Sequence, residues 1–588
     1  MQTQEAAMLR NRALHVALGA LAGLAGWVLA EILAEIAAAR TVLGLATLGA
    51  AFFGVVLAML TDVAPRRAIA AGAGVAGVTA ALVVLGSLRF DDPQDFVAAG
   101  HGVLAGLVLA SLPVPFLMAV ARGGRGAWAD YPALFLHSWN IVVRYAAAAL
   151  FVGVVWAVLI LSGALLRLVG IEALANLLEE PLAIWLISGA ALGLGLAVVG
   201  ELSDLVSPYL MLRLLRLLLP VVLVVVLVFL AALPLRGLSG LFGNLSPGAM
   251  FMAMAAVAVG LIAIAVDQSE AEAVQGRLMQ TMVRALALTV PVLAGLAVWA
   301  VALRVVQYGW TPGRVAAACG AGVSLGYGLA YALAVLRGAR WMGHIRRANI
   351  GLALGLIVLA ALWQTPLLNA QAIAAQSQQA RYAEDRAMPE QMPLWELAHD
   401  WGRPGLAVLA ELRDVAALPG QEALARRFAA MDRAPQRWEF DDPGRTPIGA
   451  ARAVGLAAAL PVWPEGRSAP EGLLESLSAP EGQMVLEACA RTTPAGNPGC
   501  LLLLADLVPQ RDGDEAVIVL SSGGRTRGVV TLVFAREGAG WTTPDSRSDG
   551  EGPEAGRAID LIRQEGVALV PLGLSALQFG DRRIFLYP

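Results

Sequence analysis

The sequence predicts a polytopic α-helical membrane protein with a C-terminal α+β soluble domain. Three observations predict it. The 588 residues are 58% hydrophobic and only 15% charged, with mean hydropathy of +0.68, whereas soluble domains carry about a quarter charged residues. Apolar runs long enough to span a bilayer recur along residues 1–368. After that point the composition turns ordinary and acidic. Residues 369–588 hold 21 Arg against 29 Asp plus Glu, net −8, and residues 1–368 hold the remaining 21 Arg against 16 acids, net +5.

Taken in order, the spans fall at roughly 13–36, 41–60, 68–87, 98–120, 141–168, 181–200, 214–234, 247–266, 284–304, 312–337 and 349–368. The first follows "MLRNR" and exceeds the core length of a signal peptide, so it reads as a retained helix. The "LLRLLLPVVLVVVLVFLAALPL" run has Pro220 and Pro234 near its ends, where a missing amide donor costs least. In "ARGGRGAWADYPALFLHSW", Trp128, Tyr131 and Trp139 suit the membrane interface. In "QYGWTPGR", Tyr308 and Trp310 are expected at interface depth. Gly309 permits a tight turn, Thr311 caps the following helix, Pro312 opens it, and Arg304 and Arg314 reach headgroups.

Arginine placement orients the bundle. With a cytoplasmic N-terminus, Arg10, Arg12, Arg66, Arg67, Arg122, Arg125, Arg144, Arg213, Arg216, Arg277, Arg284, Arg337, Arg340, Arg346 and Arg347 fall on the cytoplasmic side. Only Arg40, Arg89, Arg167, Arg236, Arg304 and Arg314 fall opposite. An odd number of spans then puts the C-terminal domain outside the cytoplasm, which is the periplasm in a cell with two membranes.

Residues 369–588 suffice for a core of their own. Helical spacing marks 404–418 and 421–432, and strands are expected at 500–507, 515–520, 527–535 and 582–588. "SSGGRT" is a hairpin turn signal, and the Gly/Pro-rich pieces near 494–499 and 541–556 read as loops.

The residue inventory excludes some chemistry. Every basic residue is arginine, so no GxxxxGK phosphate loop and no Schiff-base lysine exists in the chain. The scattered histidines His15, His101, His137, His344 and His399 form no HExxH pair, and no CxxC occurs, so no metal or other cofactor is expected.

Serine chemistry is suggested by two strings. "GVSLG" (322–326) matches a nucleophile elbow but lies inside a predicted span, where small residues let helices approach. "GLSG" places Ser239 on the outer side together with His101, a base that could activate it, although the chain order is opposite to that of rhomboid-type proteases.

Among the acids, Glu31 and Glu35 lie one turn apart at the outer end of the first span. They form either a proton or cation site or a helix-end marker with Glu35 near Arg40. Glu201, Asp204 and Asp267 read as cytoplasmic-end caps, and Asp91, Asp92 and Asp95 as a solvated turn. Asp506, Asp512 and Asp514 resemble a degenerate calcium loop. Cys489 and Cys500 are a candidate disulfide if the domain is extracytoplasmic, or else two buried thiols, while Cys319 sits within a span.

The block "RLLRLLLPVVLVVVLVFLAALPLRGLSGLFGNLSP", then "RVVQYGWTPGRV", "LAYALAVLRG" and "RYAEDRAMPEQMPLWELAHDWGRPGLAVLAEL" together resemble the bacterial multi-pass membrane family labelled domain of unknown function 4153. The resemblance covers most of the chain. It implies an inner-membrane protein and brings no catalytic residues. The reading favoured by elimination is a non-enzymatic envelope, signalling or scaffold component whose partners are the bilayer and envelope proteins, with no nucleic acid. A transporter or channel for a small solute is one alternative, and a membrane-embedded enzyme on a lipid-linked or peptide substrate is another.

Overall fold

The computed structural model describes residues 2–201, 208–242, 246–434, 437, 440, 449–508, 513–521, 529–537, 540–543, 546–549, 555–571, 575–579 and 582–586. Among them are eleven helices long and apolar enough to cross a membrane. These are α1 Met8–Ile36, α2 Ala39–Leu60, α3 Pro65–Ser87, α4 His101–Gly123, α5 Tyr131–Leu168, α6 Pro181–Glu201, α7 Met211–Pro234, α8 Pro247–Val266, α9 Arg277–Tyr308, α10 Pro312–Leu336 and α11 Trp341–Gln364. The chain is thus a polytopic helical membrane protein. Helices dominate because in hydrocarbon every backbone N–H and C=O must be satisfied within its own segment.

The chain divides into two compact units, Met1–Phe428 and Ala429–Pro588. In the first, two more helices follow the spans, α12 Ala370–Ala383 and α13 Gly402–Ala416, and α12 packs on both α10 and α13.

Small residues set the helix spacing. At the α1–α6 crossing, a Cβ at Gly19 would strike the carbonyl of Gly189, and one at Gly193 would strike the carbonyl of His15. Close approach of this kind replaces the hydrophobic driving force that is missing in lipid. Gly328 of α10 lies against Pro291 of α9, where a Cβ would sit 2.8 Å from the proline nitrogen. Phe251, Ile262, Leu286, Leu293, Tyr331 and Ile345 fill the core around α8–α11.

Local departures from expectation have physical causes. In α1 the α-helical winding gives way to a π-helix at Val28–Leu33. The helix that begins at Leu219 runs through Pro234 to Phe242, so "LRGLSGLF" continues it rather than forming a loop. Tyr131 turns inward, where its hydroxyl accepts a hydrogen bond from Asn349 Nδ2 at 3.1 Å. Trp310, partly buried, packs against Val315, Trp363 and Ala370.

The second unit is α+β. One sheet has the order β1-β2-β3-β4-β5, from Val462–Trp463, Cys500–Ala505, Glu515–Ser521, Val529–Glu537 and Gly540–Thr542. β1 and β2 are parallel and the remaining pairs antiparallel, with Cys500 opposite Leu520 and Val517 opposite Val533. Strand β2 is apolar without alternation because both of its faces are covered. Leu501 and Leu503 pack with Ile559 and Ile562, while Cys500, Leu502 and Leu504 pack with Leu456 and Val485. The covering helices include α14 Ala479–Cys489 and α15 Ala555–Glu565.

A second, antiparallel sheet has the order β6-β9-β8-β7, from Ser546–Asp549, Ala568–Pro571, Ser575–Phe579 and Arg582–Leu586. Strands β5 and β6 and the start of α15 occupy the 541–556 stretch expected as loop. "SRSD" carries no apolar alternation that would mark a strand. Most of the "SSGGRT" turn lies outside the described residues.

Candidate functional site

The ion-paired side chains of the span bundle gather toward its two ends. At the end that carries the N-terminus, arginines of one helix hold carboxylates of another. Arg12 of α1 donates to Glu201 Oε2 at the end of α6 at 2.6 Å. Arg144 of α5 donates to Asp62 Oδ2, just past α2, at 2.6 Å, and Arg122 lies 3.6 Å from the same carboxylate. Asp267, fully buried just after α8, pairs with Arg216 and accepts the Gln268 amide. Arg346 of α11 donates to the carbonyls of Val266 and Asp267 and to Glu270.

Glu201 and Asp267 stand at their helix ends as expected, Asp267 as the C-cap with its amide donating to the Ala263 carbonyl, and their carboxylates in addition link them to neighbouring helices. The reason is that a carboxylate at a helix end in this bundle has a guanidinium from a neighbouring helix within reach. Asp204 lies outside the described residues.

His15 and His137 belong to the same end. His15 Nδ1 faces the carbonyl of Asn11 at 2.9 Å and its Nε2 lies 3.4 Å from the Thr61 hydroxyl. His137 is buried with Nδ1 unpartnered, within electrostatic reach of Asp62, Arg122 and Arg144. Sequence spacing could not assemble this cluster, since its members come from α1, the end of α2, α4 and α5.

The opposite end is built differently. The chain after α11 folds back and grips two turns between spans. In the first, Gly309 adopts φ 73°, and a Cβ there would meet Arg381 Cδ at 2.5 Å and Gln378 Nε2 at 2.7 Å. Gln378 of α12 donates to the carbonyls of Tyr308 and Trp310, both at 2.9 Å, and Arg381 donates to those of Val306 and Gln307. The Trp310 amide donates to Ser377 Oγ at 3.2 Å. Thr311 caps α10 by accepting from the Arg314 amide, with Pro312 next in line. Arg304 and Arg314 each lie over the Tyr308 ring at 5.6 Å, and Arg314 also donates to the Gly309 carbonyl.

In the second turn, residues 88–92, the Arg403 amide donates to the Arg89 carbonyl at 2.8 Å and its Nε donates to Asp91 Oδ1 at 2.8 Å. Gly402, at φ 55°, leaves room for this contact. Asp91, Asp92 and Asp95 are exposed, as expected of a solvated turn, and Asp92 also caps the short helix Pro93–Ala98. The Asp95 carboxyl stands above the usual carboxylate range because of partial burial and the nearby charges of Asp92, Asp400 and Asp91. Arg40 donates to the carbonyls of Phe90 and Asp91 and to Ser87 Oγ. It forms no ion pair with Glu35, which is exposed, as is Glu31 on the π-helical turn.

Beside this second turn lies a cleft of about 400 Å³. Its walls are Leu85, Leu88, Pro366 and Pro404, and Arg89 and Arg403 both face it. Arg89 Nη2 donates to the carbonyls of Trp363 and Thr365 at 2.5 and 2.6 Å. Burial pushes this guanidinium down to about 10, so it remains charged at neutral pH.

The serine–histidine candidate is not assembled among the described residues. His101 Nδ1 is buried without a partner, its ring tilted against Trp363 at 5.8 Å. The Ser239 side chain lies outside the described residues. Ser324 of "GVSLG" donates to the Gly320 carbonyl at 2.9 Å, within its own helix.

In the second unit, Cys489 and Cys500 are joined by a disulfide with Cα atoms 4.8 Å apart, while Cys319 is a free thiol in α10. The loop that the disulfide closes is pinned by Asp560, a residue with no signal in the sequence. Its carboxylate accepts from Thr493 Oγ1 at 2.6 Å, Asn497 Nδ2 at 2.8 Å and the Ala495 amide at 3.0 Å. Burial opposes the charge, but these bonds and Arg563 outweigh it and hold the carboxyl below its usual range.

Of the calcium candidates, Asp514 pairs with Arg467, and Asp512 lies outside the described residues. The neighbouring Glu515 closes the turn after Asp506 by accepting from the amides of Leu507 and Val508 at 2.7 and 3.2 Å. Burial still raises its carboxyl, ahead of the opposing effect of these bonds. Among the described residues no three His, Cys, Asp or Glu lie together in a way that could hold a metal.

Fold and contacts thus define a polytopic helical membrane protein with a two-sheet C-terminal unit. No family model, no curated protein and no solved structure matches the chain.

Proposed function

We propose that this chain is a non-enzymatic component of the bacterial inner membrane. Its eleven spans act as an anchor, and its C-terminal unit is an extracytoplasmic binding module for an envelope protein. The observation that carries the reading is the grip of α12 on the 306–310 turn through Ser377, Gln378 and Arg381. It fixes the chain leaving the last span to the bundle, as an anchor requires. Three further features support it. The carboxylates at the N-terminal end are engaged in helix-to-helix pairs, arginines are concentrated on that side, and a disulfide is at home outside the cytoplasm. Membership in the family labelled domain of unknown function 4153 is part of the proposal and rests on the sequence blocks that carry the resemblance.

The test is in-cell photo-crosslinking from Met484 and Leu486, exposed apolar positions on α14. Discrete adducts with one or a few envelope proteins are expected. A chain that migrates unchanged from both positions contradicts a binding module.

A further inference from the structure

We infer that the cleft beside the 88–92 turn binds a phosphate group. Two arginines line it, and apart from Asn369 its other walls are apolar. Arg89 has no carboxylate partner, and its Nε and Nη1 make no hydrogen bond among the described residues. Arg403 uses only Nε, on Asp91, and leaves both terminal nitrogens available. With Asp91 counted, the cleft retains one net positive charge. A guanidinium that is half-buried and not neutralised is costly unless an anion completes it. Planar forked donors suit phosphate oxygens.

Depth identifies the class of ligand. Leu85 lies in the last turn of α3, and Pro366 lies two residues beyond the end of α11. The arginines therefore sit where the spans leave the hydrocarbon, at headgroup level, with apolar walls on the side of the acyl chains. Asn369 also lines the cleft, but its Oδ1 is engaged in capping α12. A phospholipid headgroup and a free phosphate share the chemistry.

The experiment is native mass spectrometry of the full-length protein in detergent. It is titrated separately with dioleoylphosphatidylglycerol, dioleoylglycerol (which lacks phosphate) and inorganic phosphate. Wild type is expected to retain one phosphatidylglycerol and to reject dioleoylglycerol. Arg403→Ala should weaken binding about tenfold, the loss of one charge-assisted contact. Asp91→Asn, which frees the Arg403 guanidinium, should tighten it several-fold, a gain that a merely structural role would not give. Arg386→Ala, an exposed arginine outside the cleft, should leave it unchanged.

Arg89 also ties its turn to α11, so Arg89→Gln is read only on chains that fold, and the Arg403 and Asp91 variants stand without it. Competition by millimolar phosphate assigns the site to soluble phosphate, and its absence assigns the site to a lipid headgroup. Retention indifferent to Arg403→Ala and Asp91→Asn, or equal binding of dioleoylglycerol, overturns the inference.

Discussion

Gly309 shows how much one residue carries. Its positive φ and the closeness of Arg381 and Gln378 both forbid a side chain. Gly309→Ala is expected to cost about 2 kcal/mol of stability, measured as a lower midpoint of thermal unfolding in detergent. A midpoint equal to wild type would show that the α12 grip is dispensable. Asp560 makes a second case, where pH gives the reading. Its folded-state carboxyl lies below the unfolded value, so the stability it contributes is complete above about pH 4 and is lost as pH falls through the folded value. Protection factors for hydrogen exchange in the 489–500 loop, taken relative to the intrinsic rate at each pH, should therefore fall on acidification, and in Asp560→Asn they should already be low at neutral pH. A local readout separates this from Glu515, whose raised carboxyl acts in the opposite sense. The turn chemistry around Gly309, Thr311 and Pro312 was legible in the sequence because caps and turns are local. Asp560 was not legible, because its partners lie 63 to 67 positions away.

Between helices, two kinds of contact hold the bundle. Gly189 and Gly193 let α1 and α6 meet backbone to backbone. Gly189→Val is expected to cost about 3 kcal/mol, since the atom it would strike is backbone and cannot swing aside. The check is the unfolding midpoint together with protease sensitivity of α1. The Asp62–Arg144 pair is the other kind. Removing one partner of a largely buried pair leaves an uncompensated charge, so Asp62→Asn should lose about 3 kcal/mol, while Asp62→Asn with Arg144→Gln should recover much of it. A double variant no better than the single one would contradict the pairing. The spans themselves were readable from hydropathy alone, because length and apolarity are properties of single segments. Which arginine meets which acid was not, since that depends on how helices far apart in the chain pack. The same limit explains Arg40, which turned to the 87–91 carbonyls and away from Glu35.

For the whole molecule, the proposal joins eleven helices able to cross a membrane, among the described residues, to a C-terminal unit that carries a disulfide, and it puts that unit outside the cytoplasm. On the proposed reading, the odd number of spans among the described residues puts the two termini on opposite sides, with the arginine-rich end and the N-terminus inside. The most direct measurement is a pair of reporter fusions after Pro588, alkaline phosphatase and green fluorescent protein, in a bacterium with two membranes. The account predicts an active phosphatase and a dark fluorescent protein. A fluorescent fusion with inactive phosphatase would place the unit in the cytoplasm and contradict the anchor-and-module reading.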